Sequence, residues 1–386
     1  MWPGELNGFR RDDGRCGVRN HVIVMAAADN VNPLARQLAD AVPHVTCLPA
    51  SYGRGQLGED FELALRAMAG LAAHPNVAGG LVVSFEPESA ARIAQRVEKL
   101  GRRAEVLSLL EEGGLKPALE RGIGILSSLW EQAAGLRRES ITVADLLVGL
   151  ECGGSDTTSG LFGNPSLGAF TNRLIDNGGT AIFSEPVECL GGEALLEARA
   201  RTPEVARRII ATVRHYNEIA NSQGIDIVGT NPTPDNMAGG LTTIEEKSLG
   251  ALAKTGNRPI EGVLAYGEKP SAPGLWFMDA PAAAVENLTA IAAAGAQVLI
   301  FVTGSGNPVG HTLAPTAKLC ANPETVQRMP FHIDMDLSGG LFGAFSAEEA
   351  GERIARQFVK WVNGAEVAAE TLGYVSSNIS RIGESV

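Results

Sequence analysis

Aromatic residues are scarce in this chain: Phe, Trp and Tyr make up 5% of 386 residues, against 46 glycines. Alternating strands and helices yield such a composition more readily than a sandwich or a repeat array. Cysteine is sparse too. Cys16, Cys47, Cys152, Cys189 and Cys320 are odd in number and scattered, with no C-x-x-C. That argues against a disulfide scaffold and fits a reducing compartment. Basic residues are outnumbered, 32 Lys and Arg against 44 Asp and Glu, for a net charge of −12. A phosphate-tracking nucleic-acid binder needs clustered cations, so that class is excluded, whereas an anionic substrate in a local Arg or Lys pocket is not. No run of about 18 apolar residues occurs, so no membrane span is expected. Met1 to Arg11 has no apolar core of a secretory signal. The expectation is a soluble, acidic, cytoplasmic α/β protein.

What is present is a large apolar fraction, 45%, with 20% charged residues, enough for a sizeable core. At roughly 150 residues per domain the length suggests two to three domains. Short Val- and Ile-rich runs predict strands at His21–Ala27, Val45–Leu48, Val77–Phe85 and Ala104–Leu109. Helical spacing covers Asn32–Val42, Glu59–Ala73, Ser89–Leu100 and Gly113–Leu136. This alternation implies right-handed crossovers and a doubly wound parallel sheet of Rossmann or flavodoxin type over residues 1–140. The polar stretch Arg137–Ser140 marks the boundary to a larger α/β domain, 141–386, with long glycine-rich loops. There the pattern predicts strands at Ile141–Gly149, Thr180–Ser184 and Gln297–Thr303. Helices are expected at Pro165–Asn177, Gly192–Ala220 and Ala282–Ala294, with loops at Gly224–Gly240 and Gly304–Pro315.

Four segments could carry chemistry. Ser51-Tyr-Gly-Arg-Gly-Gln-Leu-Gly58 lies between a strand and a helix, where backbone amides and Arg54 could hold an anion; a plain glycine turn explains it equally well. Glu151-Cys152-Gly153-Gly154-Ser155-Asp156 follows a strand, the usual place for ligands in open α/β sheets. Glu151 or Asp156 could be a general base or metal ligand, Cys152 a nucleophile or soft ligand, and Ser155 a substrate contact. The same residues also suit a turn capped by Asp156 or Ser155. The run from Asn231 to Ser248 places Asn231, Asn236, Thr243, Lys247 and Ser248 where an oxyanion or carboxylate could bind, with Thr243 also a helix cap. His311 stands in a glycine-rich loop after a strand, as a general acid or base or as a structural hydrogen-bonding group, and Lys318 follows seven residues on. Asp334 and Asp336 could share a metal or simply cap a turn. His44 and His74 read as structural.

These blocks, together with Gly8-Phe-Arg-Arg-Asp-Asp-Gly-Arg-Cys-Gly-Val-Arg-Asn20, Ser184-Glu185, Tyr266-Gly-Glu-Lys269, Phe277-Met-Asp279 and Asp334 to Gly339, resemble the altronate/galactarate dehydratase family, which includes the large subunit of sulfolactate sulfo-lyase. The resemblance spans nearly the whole chain. It implies a lyase that removes water, or sulfite in one branch, from a small anionic hydroxy or sugar acid, with a divalent metal such as iron or manganese. It also implies a small N-terminal domain or separate small subunit, which this chain is expected to lack, and a homo-oligomer. A differently catalytic or non-catalytic large subunit that binds a hydroxy acid or sulfonate with such a partner is the alternative. Three departures stand out. Asn30-Val31-Asn32 replaces the family's Cys-Ala-Asn. Ala50-Ser-Tyr-Gly-Arg-Gly55 replaces His-Gly-x-Gly-Cys-Gly. Glu86-Pro87-Glu88 replaces Gly-Cys-Glu. The resemblance places three thiols at the ends of parallel strands, a set suited to iron. With Asn30, Arg54 and Pro87 in their place, cysteine-ligated iron is not expected, and Arg54 offers a fixed positive charge to a carboxylate, sulfonate or phosphate.

Overall fold

The structure, a computed structural model, describes residues 2–383. The chain builds two parallel sheets, so the molecule is α/β as the alternation implied. The first sheet runs in the order Val45–Leu48, His21–Ala26, Val77–Ser84, Glu105–Ser108, all parallel. Its β-branched, near-continuous apolar strands are buried on both faces. Helices Asn32–Ala41 and Leu115–Gly135 cover one face through Leu34, Leu38 and Leu126. Helices Gly58–Ala72 and Pro87–Lys99 cover the other through Leu63, Ala67, Ile93 and Val97.

The second sheet has seven parallel strands in the order Ile260–Leu264, Gly274–Met278, Thr180–Phe183, Leu147–Cys152, Val298–Val302, Thr316–Cys320, Met335–Asp336. Helices Asn164–Asp176 and Ala347–Val362 pack on one face around Phe170, Phe358 and Trp361. Helix Ala284–Ala293 lies on the other. That helix also meets Gly58–Ala72 of the first sheet, and one apolar core runs through Ile23, Met68, Ile291, Leu299 and Phe301. Gly70 makes the contact feasible, because a Cβ there would lie 2.1 Å from the carbonyl oxygen of Ala293. A small antiparallel sheet of Cys16–Gly17, Leu6–Arg10 and Glu139–Ile141 ties the start of the chain to the segment joining the two large sheets.

Local chemistry shifts several expected elements. The strand read over Ile141–Gly149 divides. Glu139–Ile141 joins the small sheet, Thr142 and Asp145 cap a single turn over Val143–Asp145, and the sheet strand begins at Leu147. The helix read over Gly192–Ala220 breaks into Glu193–Arg199 and Pro203–Ser222. Pro203 has no amide hydrogen to continue the first helix, and the Thr202 hydroxyl accepts from the Val205 amide at 3.3 Å to start the second. Gly224–Gly240 contains two short helices, Ile227–Thr230 and Pro234–Ala238. No helix among the described residues is long and apolar enough to cross a membrane.

Candidate functional site

The order of the seven-stranded sheet reverses between Leu147–Cys152 and Val298–Val302. Such a switch point opens a crevice at the carboxyl ends of its strands. The two following loops interlock there. Gly153 N donates to Val302 O at 3.1 Å, and Gly304 N and Ser305 N donate to Gly154 O at 3.1 and 2.9 Å. Gly154 has φ +63°, and a Cβ on it would sit 2.2 Å from Ser305 Oγ, so both backbone and space demand glycine.

Strand alternation sends Glu151 and Cys152 to opposite faces. Glu151, Phe301 and Lys318 occupy one register row across three neighbouring strands. Lys318 Nζ lies 3.5 Å from the centre of the Phe301 ring and donates to Val309 O. Both carboxyl oxygens of Glu151 are buried without a hydrogen-bond partner. Burial, reinforced by Glu185, holds the Glu151 carboxyl well above the usual carboxylate range. Burial also pulls Lys318 down to about 7, against the opposing charges of Glu151 and Asp334. A carboxyl raised by burial and an amine lowered by it thus share a face.

On the other face Lys254 Nζ donates to Cys152 Sγ at 3.0 Å and pairs with Glu185. Lys254 is 2% and Glu185 1% exposed, which makes this a fully desolvated ion pair. Burial alone would lower Lys254, but its contacts with Cys152 and Glu185 outweigh it and raise Lys254 well above the ordinary lysine value. Burial raises Glu185 to about 7 despite Lys254, and raises Cys152 to about 12, so Cys152 is a neutral thiol. Glu185 adopts φ +68°, a left-handed backbone rare for a residue with a side chain. Strain of that kind concentrates at functional sites. The sequence reading missed both Glu185 and Lys254. Glu185 stands just past the strand Thr180–Phe183, and that position was the available signal. Lys254, a single cation after Ala251-Leu252-Ala253, offered none.

A second lysine gathers the loop residues. Lys247 Nζ lies 3.0 Å from Glu188 Oε1 and donates to Asn231 Oδ1 at 2.8 Å and Asn236 Oδ1 at 2.9 Å. Asn236 Nδ2 in turn donates to the Ser155 carbonyl at 2.9 Å, joining this knot to the glycine turn. Asp156 is fully engaged: Oδ1 accepts from Thr158 Oγ1, Ser159 N and Ser159 Oγ at 2.8, 2.8 and 2.9 Å, and Oδ2 from Asn322 Nδ2 at 2.7 Å. Thr243 caps helix Ile244–Leu252, accepting from Glu246 N at 3.2 Å. Ser248 donates to Leu190 O at 2.5 Å.

His311 joins a different group. With buried His74 and half-buried His21 it lies where the two sheets meet. His74 Nε2 faces the Ala296 carbonyl at 3.0 Å, and its Nδ1 accepts from Asn76 N at 3.0 Å. His311 Nδ1 accepts from Leu313 N at 3.2 Å, and its Nε2 faces Ser377 Oγ at 3.3 Å. Both rings are thereby fixed as neutral tautomers. Arg54 pairs with Glu86 at 3.2 Å on the rim of a cavity in the first domain. The divalent metal implied by the resemblance meets no matching donor set. Among the described residues no three His, Cys, Asp or Glu side chains are grouped to hold an ion, and lysine ammonium groups already sit on Glu185 and Glu188.

Known proteins align over almost the whole chain. Residues 143–385 match the model of the D-galactarate/altronate dehydratase C-terminal domain, and residues 8–134 match the D-galactarate dehydratase/altronate hydrolase second domain. The (2R)-sulfolactate sulfo-lyase subunit beta of Chromohalobacter salexigens is 38% identical, covering 98% of this chain and 97% of that protein. The altronate dehydratase of Bacillus subtilis is 35% identical over 95% of this chain and 74% of its own length. The altronate dehydratase of Escherichia coli is 32% identical over 95% and 75%. The chain belongs to the D-galactarate/altronate dehydratase family.

Proposed function

We propose that this chain is a lyase that eliminates water or sulfite from a small anionic hydroxy acid at the carboxyl edge of the seven-stranded sheet. The observation that carries the reading is the row Glu151–Phe301–Lys318, with its partnerless buried carboxyl and its buried amine. Elimination needs a base for the proton α to the substrate carboxylate, and Lys318, poised near neutrality, is that base. The electron pair released builds negative charge on the carboxylate as an enediolate. The ammonium that Lys318 becomes on taking the proton lies on the same face and supplies the electrostatic stabilisation. The β-substituent then departs. A hydroxyl takes the Glu151 proton and leaves as water, while sulfite leaves as the anion. No step is drawn through a metal, because the residues present do not fit one.

A heteromeric enzyme is part of the proposal. The relative aligned over 97% of its length is named a beta subunit, and the altronate dehydratases extend by about a quarter beyond the aligned region. The test is turnover of (2R)-sulfolactate, altronate and galactarate, with and without a small partner subunit, read as sulfite or 2-keto acid. Lys318→Met and Glu151→Gln are each expected to lower kcat by at least about 100-fold, the upper part of the range for a positioned acid or base. Full turnover by both variants would refute the assignment.

A further inference from the structure

The four-stranded sheet has its own switch point, between His21–Ala26 and Val77–Ser84. At the carboxyl ends of those strands lies a cavity of about 400 Å³, within the range of small-molecule sites. We infer that this cavity is a second ligand site, which takes a small monoanionic acid with a short apolar body. Its floor is apolar: Phe61, Leu65, Met68 and Ile93 come from helices Gly58–Ala72 and Pro87–Lys99. Its rim carries Arg54 and Arg92. Glu86 is satisfied, one oxygen taken by Ser89 and the other by Arg54. Arg54 uses one terminal nitrogen in that pair and keeps the rest of its five donors. Arg92 lies over the Phe61 ring at 5.9 Å and makes no ion pair among the described residues. Two guanidinium groups with spare donors suit a carboxylate or sulfonate head. Glu88, also on the rim, repels a second negative charge.

The apolar floor separates this ligand from the substrate of the buried lysines. A polyhydroxylated acid would leave its hydroxyls unpaired against Leu65 and Met68. Among the described hydrogen bonds and ion pairs, no cavity residue touches Glu151, Lys247, Lys254 or Lys318. The inference is therefore independent of the proposed reaction. Titration calorimetry on the full chain tests it, with hexanoate, hexanesulfonate, hexylammonium and galactarate as probes. Hexanoate and hexanesulfonate are expected to bind, hexylammonium and galactarate not to bind at the same concentrations. Arg54→Gln and Arg92→Gln should each weaken hexanoate at least about tenfold. Leu65→Trp, which fills the floor, should abolish binding while the circular dichroism spectrum stays that of the parent. Equal binding of hexanoate and hexylammonium, or parental affinity in both arginine variants, would overturn the site. Loss of turnover with hydroxy acids would overturn the lyase reading and leave this result standing.

Discussion

Acid is expected to weaken this protein through His74 and His311, and the size of the effect follows from their hydrogen bonds. Each ring spends its Nδ1 lone pair on a backbone amide, Asn76 N or Leu313 N, and cannot accept a second proton without losing that bond. Burial pulls His311 down to about 3 and His74 well below its ordinary value. In the unfolded chain both titrate near 6.5. The folded values lie below the unfolded ones, so the unfolded state binds more protons. Stability is complete above about pH 6.5 and falls as the pH drops. At pH 5 the unfolded ring is about 1.5 units below its pKa, and each unit is worth about 1.4 kcal/mol. His311 thus costs about 2 kcal/mol, and His74 adds a cost of the same sign. The figure does not depend on how deeply the folded value is depressed, provided it stays below about 4. Glu185, raised to about 7, acts in the opposite direction over the same range. The measurement must therefore be a difference. Urea unfolding of the parent and of His311→Asn, which keeps an acceptor toward Leu313 N, should be compared at pH 7.5 and pH 5. The variant should lose about 2 kcal/mol less than the parent between the two. Identical losses would refute the argument.

Three further outcomes are expected. In the parent, kcat/KM should rise with pH through about 7 as Lys318 loses its proton, and a flat profile across pH 6–8 would remove it as the base. Lys254→Met strands a buried Glu185 and should cost about 3–5 kcal/mol. Adding Glu185→Gln should restore more than half of that in urea unfolding, and simple additivity would show that the pair is not coupled. Gly70→Ala should lower stability by at least about 1–3 kcal/mol by thermal melting, because its methyl group would meet a backbone carbonyl and not a yielding side chain.

The buried strands of the first sheet were legible because each is a short, β-branched run bounded by turns. Three strands of the second sheet, Ile260–Leu264, Gly274–Met278 and Thr316–Cys320, were not read as strands. They are five residues each; Glu261 and Lys318 interrupt two of them, and Gly274–Met278, though apolar throughout, contains no β-branched residue. The site divides along the same line. Glu151 and Cys152 were visible as polar residues at a strand's end, and Lys247 with Asn231 and Asn236 as a dense loop cluster. Lys254 was invisible because a lone lysine looks solvated until the fold encloses it. His311 was legible as an unusual histidine, but which group it joins depends on the fold bringing it within electrostatic reach of His74, more than 200 residues away in sequence.

The contact between Gly70 and Ala293 has a mechanical consequence. Helix Gly58–Ala72 backs onto helix Ala284–Ala293, which itself lies against Gly149 in the strand that carries Glu151. Two lobes that clamp a substrate by rocking need a seam that can part. Here parting would bare Met68, Ile291 and Phe301 to water, about 1.5–3 kcal/mol for each large side chain. The shared core therefore opposes such rocking. Any opening toward the buried lysines would instead have to part the interlocked loops at the sheet's carboxyl edge, which costs hydrogen bonds and leaves the shared interior closed.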